Sequence, residues 1–290
     1  MTLKQSKIVK ITIALLIISS VFYLLVSIFI SSRKQAQAAE GRTIQGNCSV
    51  RAIKENGPFS DKIDILFVGI SYDSDADVER DARMLLYSPN GFFSEEPFKS
   101  YESRFNIWAF NFIGAPDTTM NVQSALATLH TSIIFPQADH KVFMFPKDDF
   151  RPFAIPVLNL VYLSFPFMGV FTEDLPRIIV HELGHSIGSI KDEYVEKALG
   201  DRPGRPNCAR SESQARSWWG SYENQGEGKL KVGYYVGCSY VENNIRPTEN
   251  SVMNDPYCVL SAPDYDVCDY YGFGIINANK LKEVIESSTK

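Results

Sequence analysis

The stretch HELGHSIGSIKDEY occupies residues 181–194 of this 290-residue chain. On a helix, His181 and His185 are four residues apart, so their imidazoles lie on one face and can bind a single metal ion. Glu182 directly follows the first histidine and can take a proton from a water molecule at that metal. Gly188 then allows the chain to leave the helix sharply. The stretch predicts a zinc site with His181 and His185 as ligands and Glu182 as the general base.

The residues before the motif predict the helix that carries it. Thr172 is a suitable N-cap, acidic residues follow it, and Pro176 comes early in the helix. Apolar residues recur at helical spacing through the motif: Leu175, Ile178, Ile179, Leu183 and Ile187. A bare HExxH pattern also arises by chance on amphipathic helices, but these surroundings favour a metal-binding helix with one buried side.

A catalytic zinc ion needs a third protein ligand and one open position. The chain contains four histidines, and none follows His185. The third ligand must therefore supply oxygen. Asp192 and Glu193 lie just beyond the helix and are the nearest candidates. Glu212 and Glu223 are more distant alternatives, as in a thermolysin-like arrangement.

Composition restricts the classes of protein that fit. Hydrophobic residues make up 44% of the chain and charged residues 22%, which is typical of a globular protein with a sizeable core. The net charge is -5, and lysine and arginine are scattered along the sequence. A nucleic-acid partner is therefore not expected.

The N-terminal segment is predicted to cross a membrane. Residues 8–30 are almost continuously apolar, and the last twenty of them carry no charge, which is enough for a membrane-spanning helix. Positive charge is in excess at the N-terminal end, which predicts a cytoplasmic N-terminus. The predicted segments are a cytoplasmic tail (1–7), a transmembrane signal anchor (8–30), a linker (31–58) and a catalytic domain (59–290).

A removed signal peptide is the alternative interpretation of this segment. Residues 36–39, AQAA, resemble a small-residue cleavage site. The apolar core is longer than a signal peptide usually has, so the anchor is favoured. In either case the catalytic domain is expected outside the cytoplasm, anchored to the membrane or secreted.

The upstream half of the domain alternates strands with helices. Strands are predicted at residues 63–70, 104–113, 141–145 and 156–164, with helices ending near residue 86 and covering residues 122–130. Such alternation is typical of an α/β layer with a largely parallel sheet. A further amphipathic helix is predicted over residues 277–287.

A second signature lies about sixty residues after the helix. Residues 246–256 read RPTENSVMNDP, with Met253 inside a tight turn. A methionine turn downstream of HExxHxxG is the second mark of metzincins, in which the turn forms an apolar floor beneath the metal. Met253 is therefore expected to support the site without being a ligand.

Together these residues resemble the IgA-peptidase family of zinc metallopeptidases, a metzincin-like group. The resemblance covers residues 60–285 and includes the HExxHxxGxxxDE pattern, the FNIW strand at 105–108, the Asn207-Cys208 segment and the RPT leading to the methionine turn. One departure is residues 163–169, LSFPFMG, where the family tends to have a glycine-rich stretch. Substrate specificity is therefore not carried over.

The resemblance implies the fold and the third ligand. The fold class implied is α/β: a metzincin-like domain with a mixed, largely parallel twisted sheet and an active-site helix, here preceded by one transmembrane helix. Metzincins usually place the third ligand at the position held by Lys191, which cannot serve. The family pattern points to Asp192, with Glu193 as second choice.

Five cysteines fit an oxidising compartment. We hypothesise that Cys208 pairs with Cys238 and Cys258 with Cys268, which leaves Cys48 free; this is one pairing among many. The predicted protein is a membrane-anchored zinc metalloendopeptidase that hydrolyses peptide or protein substrates outside the cytoplasm. The alternatives are a surface binding or adhesion protein that retains the fold, and a zinc amidase acting on cell-wall peptide.

Overall fold

The computed structural model describes residues 50–112, 120–165, 175–196, 200, 202–256 and 271–289. Contacts divide the chain into two units, residues 1–47 with 128–137 and residues 48–127 with 138–290. The second unit contains both sheets and the HELGHSIGSIKDEY motif, and it is the unit described below.

The described residues contain eight strands in two sheets. The strands are β1 (Arg51–Lys54), β2 (Ile63–Ile70), β3 (Phe105–Phe112), β4 (His140–Phe145), β5 (Phe153–Ile155), β6 (Leu160–Ser164), β7 (Tyr235–Cys238) and β8 (Val241–Arg246). The first six form one sheet in the order β1-β3-β2-β4-β6-β5, and β7 pairs with β8 as an antiparallel hairpin.

The large sheet is parallel at its centre and antiparallel at both edges. Strand β2 runs parallel to β3 and β4, and β4 runs parallel to β6. Edge strands β1 and β5 are antiparallel to their neighbours. All eight residues of β2 are buried, because a strand inside a parallel sheet is covered on both faces.

Five α-helices accompany the sheets in the described residues. They are α1 (Asp75–Tyr87), α2 (Met120–Ile134), α3 (Leu175–Gly188), α4 (Glu212–Trp219) and α5 (Gly274–Ser288). Single 3-10 turns cover Phe59–Asp61, Phe92–Ser94, Glu102–Arg104, Pro156–Leu158, Gly220–Tyr222 and Gly228–Leu230. Ser74 and Ser211 cap α1 and α4, since each hydroxyl accepts a hydrogen bond from a first-turn backbone N–H.

Helix α3 carries the motif and lies in the core. Every residue of α3 is buried except His185, which is partly buried. Leu175, Ile179 and Leu183 belong to the same apolar cluster as β2, β4 and α5. This packing on several sides fixes the helix, so side chains directed from it are held in place.

The end of α3 differs in detail from the expectation. Ser189, not Gly188, adopts the left-handed conformation that turns the chain, with φ of 51°. Gly188 is needed for close packing instead. A Cβ atom at this position would lie 2.9 Å from Ile190 Cγ1 and 2.9 Å from Leu281 Cδ2.

The predicted fold class, a metzincin-like domain preceded by one transmembrane helix, is corrected by the structure. The described residues form a mixed α/β fold with a mostly parallel sheet. In the part of the chain that the structure describes, no helix is long and apolar enough to cross a membrane. The predicted anchor at residues 8–30 lies outside the described residues, as do the helix start at Thr172 and residues 166–169.

The single strand predicted at residues 156–164 is also wrong. The segment instead contains a 3-10 turn, Pro156–Leu158, followed by β6. Asn159 adopts a left-handed conformation with φ of 55°, which reverses the chain. The reversal places β5 antiparallel beside β6 at the edge of the sheet.

Candidate metal centre

His181 and His185 present one ring nitrogen each to the same point. Their Nε2 atoms are 3.1 Å apart. The Nδ1 atom of His181 lies 2.9 Å from the carbonyl oxygen of Val252, and that of His185 lies 2.6 Å from the carbonyl oxygen of Ile190. A carbonyl oxygen can only accept, so each Nδ1 carries the proton and donates it. Both Nε2 atoms therefore offer a lone pair, as a metal ligand must.

Asp192 completes a triangle of acceptor atoms with the two histidines. Its Oδ1 atom lies 3.1 Å from His181 Nε2 and 3.2 Å from His185 Nε2. The turn at Ser189 brings this aspartate back over the end of α3. The backbone N–H of Ser239 donates to the Asp192 carbonyl oxygen at 2.8 Å and fixes the loop. The structure thus brings the predicted third ligand to the predicted pair.

The three atoms fit a zinc ion. Tetrahedral zinc with bonds of about 2.0–2.1 Å requires ligand atoms roughly 3.3 Å apart, close to the three observed separations. Two lone pairs and a carboxylate oxygen facing one another repel unless a cation lies among them. Burial lowers the pKa of His185, but Asp192, Glu182 and the hydrogen bond to Ile190 together outweigh burial and raise the pKa to about 9. In the metal-free protein a proton on His185 can therefore reduce the repulsion that a metal ion would otherwise remove.

Glu182 lies beside this triangle and is buried. One carboxylate oxygen of Glu182 and one ring nitrogen of each histidine lie within 4.8 Å of one another. Burial raises the pKa of Glu182, although the neighbouring imidazoles oppose the shift. A raised pKa makes a carboxylate a stronger base, which suits a group that accepts a proton from water.

Glu193, the second choice for the third ligand, is directed elsewhere. Four side chains donate hydrogen bonds to its buried carboxylate: Asn207 and Asn277 to Oε1 at 2.9 Å each, Ser251 to Oε2 at 2.6 Å and Thr248 to Oε2 at 3.2 Å. We call these four residues the Glu193 cage. Their hydrogen bonds engage both oxygen atoms of the Glu193 carboxylate. They also connect the loop after α3 to α5 and to the methionine turn.

The more distant alternatives for the third ligand, Glu212 and Glu223, are not with the histidines. Both carboxylates contact the guanidinium of Arg216, at 2.7 Å and 3.1 Å. All three side chains are exposed by more than a third. These glutamates belong to a surface ion-pair group on and after α4.

Met253 is buried in a tight turn against α3. The turn is closed by a hydrogen bond from the backbone N–H of Asn254 to the carbonyl oxygen of Ser251 at 3.0 Å. A Cβ atom on Gly184 would lie 3.1 Å from Met253 Sδ, so the glycine permits the close approach. In the same turn, the carbonyl oxygen of Val252 accepts the hydrogen bond from His181 Nδ1. The carbonyl oxygen of Met253 accepts a hydrogen bond from the backbone N–H of Glu193 at 2.8 Å. The turn positions the ligands, as predicted for Met253.

The structure contains a Cys208–Cys238 disulfide bridge, with Cα atoms 5.7 Å apart. The two sulfur atoms lie 3.3 Å and 3.4 Å from the carbonyl oxygen of Asp192. The bridge therefore connects the loop before α4 to the β7–β8 hairpin directly behind the third ligand. Cys48, Cys258 and Cys268 lie outside the described residues.

Tyr240 is a site residue that the sequence did not indicate. It lies in the turn of the β7–β8 hairpin with φ of 71°, and its hydroxyl donates a short hydrogen bond to Asp192 Oδ2. The second carboxylate oxygen of the ligand is thus satisfied, and Oδ1 is left facing the histidines. Nothing in the sequence around residue 240 signals this contact, which depends on the hairpin.

Tyr194, the last residue of the motif, lies in the wall of the site. Its ring is nearly parallel to that of His181, with centroids 6.4 Å apart, and its hydroxyl accepts a hydrogen bond from Arg151 Nη2 at 2.7 Å. Burial raises the pKa of Tyr194, so its hydroxyl keeps its proton. Arg151 also forms an ion pair of 2.6 Å with Glu196. Arg151 and Glu196 were not expected from the sequence.

The centre opens into a cleft of about 430 Å³. The residues that line the cleft include Phe153 and Ala154 of β5 and the hairpin-turn residues Ser239 and Tyr240. His181, Glu182, His185 and Asp192 all line it. A molecule in the cleft can therefore reach both the ligand triangle and the Glu182 carboxylate.

No family model matches the chain, and no curated protein matches it. The resemblance to the IgA-peptidase family stays a prediction from the sequence.

Proposed function

We propose that this protein is a zinc-dependent peptidase in which His181, His185 and Asp192 hold the metal and Glu182 is the general base. The observation that carries the proposal is the triangle of three acceptor atoms beside a buried carboxylate in an open cleft. Two imidazoles and one carboxylate are the ligand set of hydrolytic zinc sites, which keep a fourth position open.

The extended shape of the cleft edge favours a peptide as substrate. Strand β5 is the outermost strand of the sheet, and its residues line the cleft. An edge strand offers backbone donors and acceptors that an extended peptide can pair with. A peptide bound in this way would pass its backbone across the face of the ligand triangle.

Glu182 supplies the proton transfers that hydrolysis needs. A zinc ion at the triangle supplies Lewis acidity, which makes water more acidic and polarises a carbonyl group. Glu182 accepts a proton from the attacking water and passes it to the leaving amine. Its raised pKa suits both steps, because the carboxyl group must hold the proton between them.

Two tyrosines have different parts in this proposal. The Tyr240 hydroxyl donates a hydrogen bond to Asp192 and keeps that carboxylate oriented. Tyr194 accepts from Arg151, retains its own proton and hydrogen-bonds Tyr240, so it supports the orientation of Tyr240 and Asp192. The Cys208–Cys238 bridge supports a location in an oxidising compartment outside the cytoplasm.

The test is hydrolysis of an unfolded protein substrate with and without a chelator. We expect chelation to abolish cleavage and Zn²⁺ to restore it, whereas Mg²⁺ does not, because Mg²⁺ prefers six oxygen ligands. A parallel arm with a cell-wall peptide separates a general peptidase from an amidase. Cleavage that survives chelation would contradict the proposal, and zinc binding without hydrolysis of any amide would indicate a binding protein.

A further inference from the structure

The wall of the cleft outside the metal centre carries three cationic side chains. Arg151, Lys191 and Arg202 all line the cleft, and we call these three residues the cationic wall. Among the described residues, Glu182 and Asp192 are the acidic residues that line it, and both belong to the centre. The protein as a whole has a net charge of -5, so this local excess of positive charge is opposite to its overall balance.

Contacts within the site hold the three cationic residues in place. Arg151 binds the hydroxyl of Tyr194, whose ring is 5.5 Å from that of Tyr240. The neighbouring Ser239 accepts a hydrogen bond from the backbone N–H of Arg202 at 3.2 Å. Lys191 comes directly before the third ligand, and its backbone is held on both sides by the Asn207 amide.

The charges of the wall are only partly compensated. Arg151 is paired with Glu196 at 2.6 Å, and its side chain stays 38% exposed. Within the described ranges, Lys191 and Arg202 take part in no ion pair. Arg202 is exposed and Lys191 is partly buried, so both ammonium and guanidinium groups remain available to a ligand in the cleft.

We infer that the cationic wall selects peptides with acidic side chains near the scissile bond. This inference rests on the proposed peptidase function and names its substrate class. A cleft lined by charge of one sign, with low-dielectric walls, focuses the field on what enters it. The apolar lining residues of β5 carry no charge, so we assign discrimination between charged and neutral peptides to the cationic wall.

The experiment compares matched peptides that differ only by glutamate or glutamine at each position around the cleaved bond. At the favoured position we expect kcat/KM to be about tenfold higher for the glutamate peptide, from a few partly exposed ion pairs. The ratio should shrink as salt rises from about 50 to 500 mM, because the Debye length shortens. The ratio is independent of the fraction of enzyme that is folded or metal-loaded, since both peptides meet the same sample.

Variants assign the preference to the wall. The Lys191→Gln and Arg202→Gln substitutions should each lower the ratio about threefold, and the double variant should bring it close to one. Arg83→Gln on the outer surface of α1 is the matched control, because the exposed Arg83 pairs with Glu79 one turn earlier on the same helix and does not line the cleft. That control should leave the ratio at the wild-type value.

The possible failures are distinguishable. Equal rates for the two peptides would overturn the inference and leave the peptidase function standing. A preference for glutamate that survives in the Lys191→Gln, Arg202→Gln double variant would also overturn it. Failure to hydrolyse either peptide, with zinc bound, would contradict the peptidase function and the inference with it.

Discussion

Tyr240 determines how the third ligand is presented. Its hydroxyl donates to Asp192 Oδ2, so the other carboxylate oxygen is directed at the two histidines. A partner that hydrogen-bonds a metal ligand fixes the orientation of that ligand and raises metal affinity. Tyr240 therefore acts on the metal through Asp192.

Removal of the Tyr240 hydroxyl should weaken zinc binding. We expect Tyr240→Phe to lower zinc affinity about 10- to 100-fold, because Asp192 loses the donor that orients it. Competition against a fluorescent chelator measures this affinity. Tyr235→Phe in the same hairpin is the control, since its hydroxyl donates only to the Lys231 carbonyl oxygen, at 3.4 Å. Equal affinities for the two variants would contradict the role assigned to Tyr240.

Asp192 and Glu193 are neighbours in sequence with opposite surroundings. Burial raises the pKa of Glu193, and hydrogen bonds from the cage oppose that shift. Burial acts on Asp192 too, but the adjacent imidazoles hold the pKa of Asp192 well below its usual range. Asp192 faces two imidazoles that can share a proton or a metal ion with it, and Glu193 faces four donors that stabilise its negative charge.

Alanine at the two positions should therefore have different consequences. We expect Asp192→Ala to lose bound zinc and Glu193→Ala to keep it. Glu193→Ala should instead lower the free energy of unfolding by about 2–5 kcal/mol, because the cage donors lose their acceptor and a cavity forms. Elemental analysis gives the zinc content, and urea unfolding in chelator compares both variants metal-free. Loss of zinc from Glu193→Ala in its folded state would reassign the third ligand.

At the scale of elements, the centre is assembled from four segments held by a few contacts. Helix α3 supplies the histidines, the loop after it supplies Asp192, the turn before residue 256 holds His181, and the β7–β8 hairpin holds Asp192. The Glu193 cage and the Cys208–Cys238 bridge connect these segments. The site is rigid because its supports come from different elements that constrain one another.

Elements that depend on local pattern could be predicted from the sequence. Strand β2 was predicted with its observed ends because eight largely apolar residues in a row are a local signal. The split of residues 153–164 into β5 and β6 could not be predicted in this way, because it depends on the left-handed conformation of Asn159. Strands β7 and β8 were not predicted, because their residues show no strong apolar pattern. The hairpin is held instead by its own strand pairing and by the Cys208–Cys238 bridge.

The candidate site shows the same division. The histidines, Glu182 and Asp192 lie within one stretch, so spacing and family resemblance could place them. Tyr240 is 48 residues from Asp192, and Asn277 is 84 residues from Glu193. Contacts across such distances follow from the packed fold, and no spacing rule in a single sequence reports them.

At the scale of the whole molecule, a buried acid in β2 links stability to pH. Asp64 is fully buried and its Oδ1 accepts hydrogen bonds from Asn106 at 3.0 Å and Trp108 at 2.8 Å. Burial raises the pKa of Asp64 from 3.8 to about 7, against the effect of these hydrogen bonds. Between these two values the folded protein holds a proton that the unfolded chain has released.

The free energy of unfolding contributed by Asp64 should therefore fall as pH rises from about 4 to 7 and level off above 7. The slope is at most about 1.4 kcal/mol per pH unit. In Asp64→Asn this slope should disappear, so the variant gains stability relative to the wild type as pH rises. Urea unfolding of both proteins from pH 4.5 to 8 gives the difference. A difference that does not change with pH would contradict a raised pKa for Asp64.

The central claim is that Glu182 is the general base of a zinc site, and the Glu182→Gln protein tests it most directly. Glutamine keeps the shape of the side chain and removes its ability to accept the proton from water. We predict that the purified variant retains about one zinc ion per chain and loses at least ~100-fold in peptide hydrolysis. Hydrolysis at the wild-type rate by the zinc-loaded variant would contradict the claim.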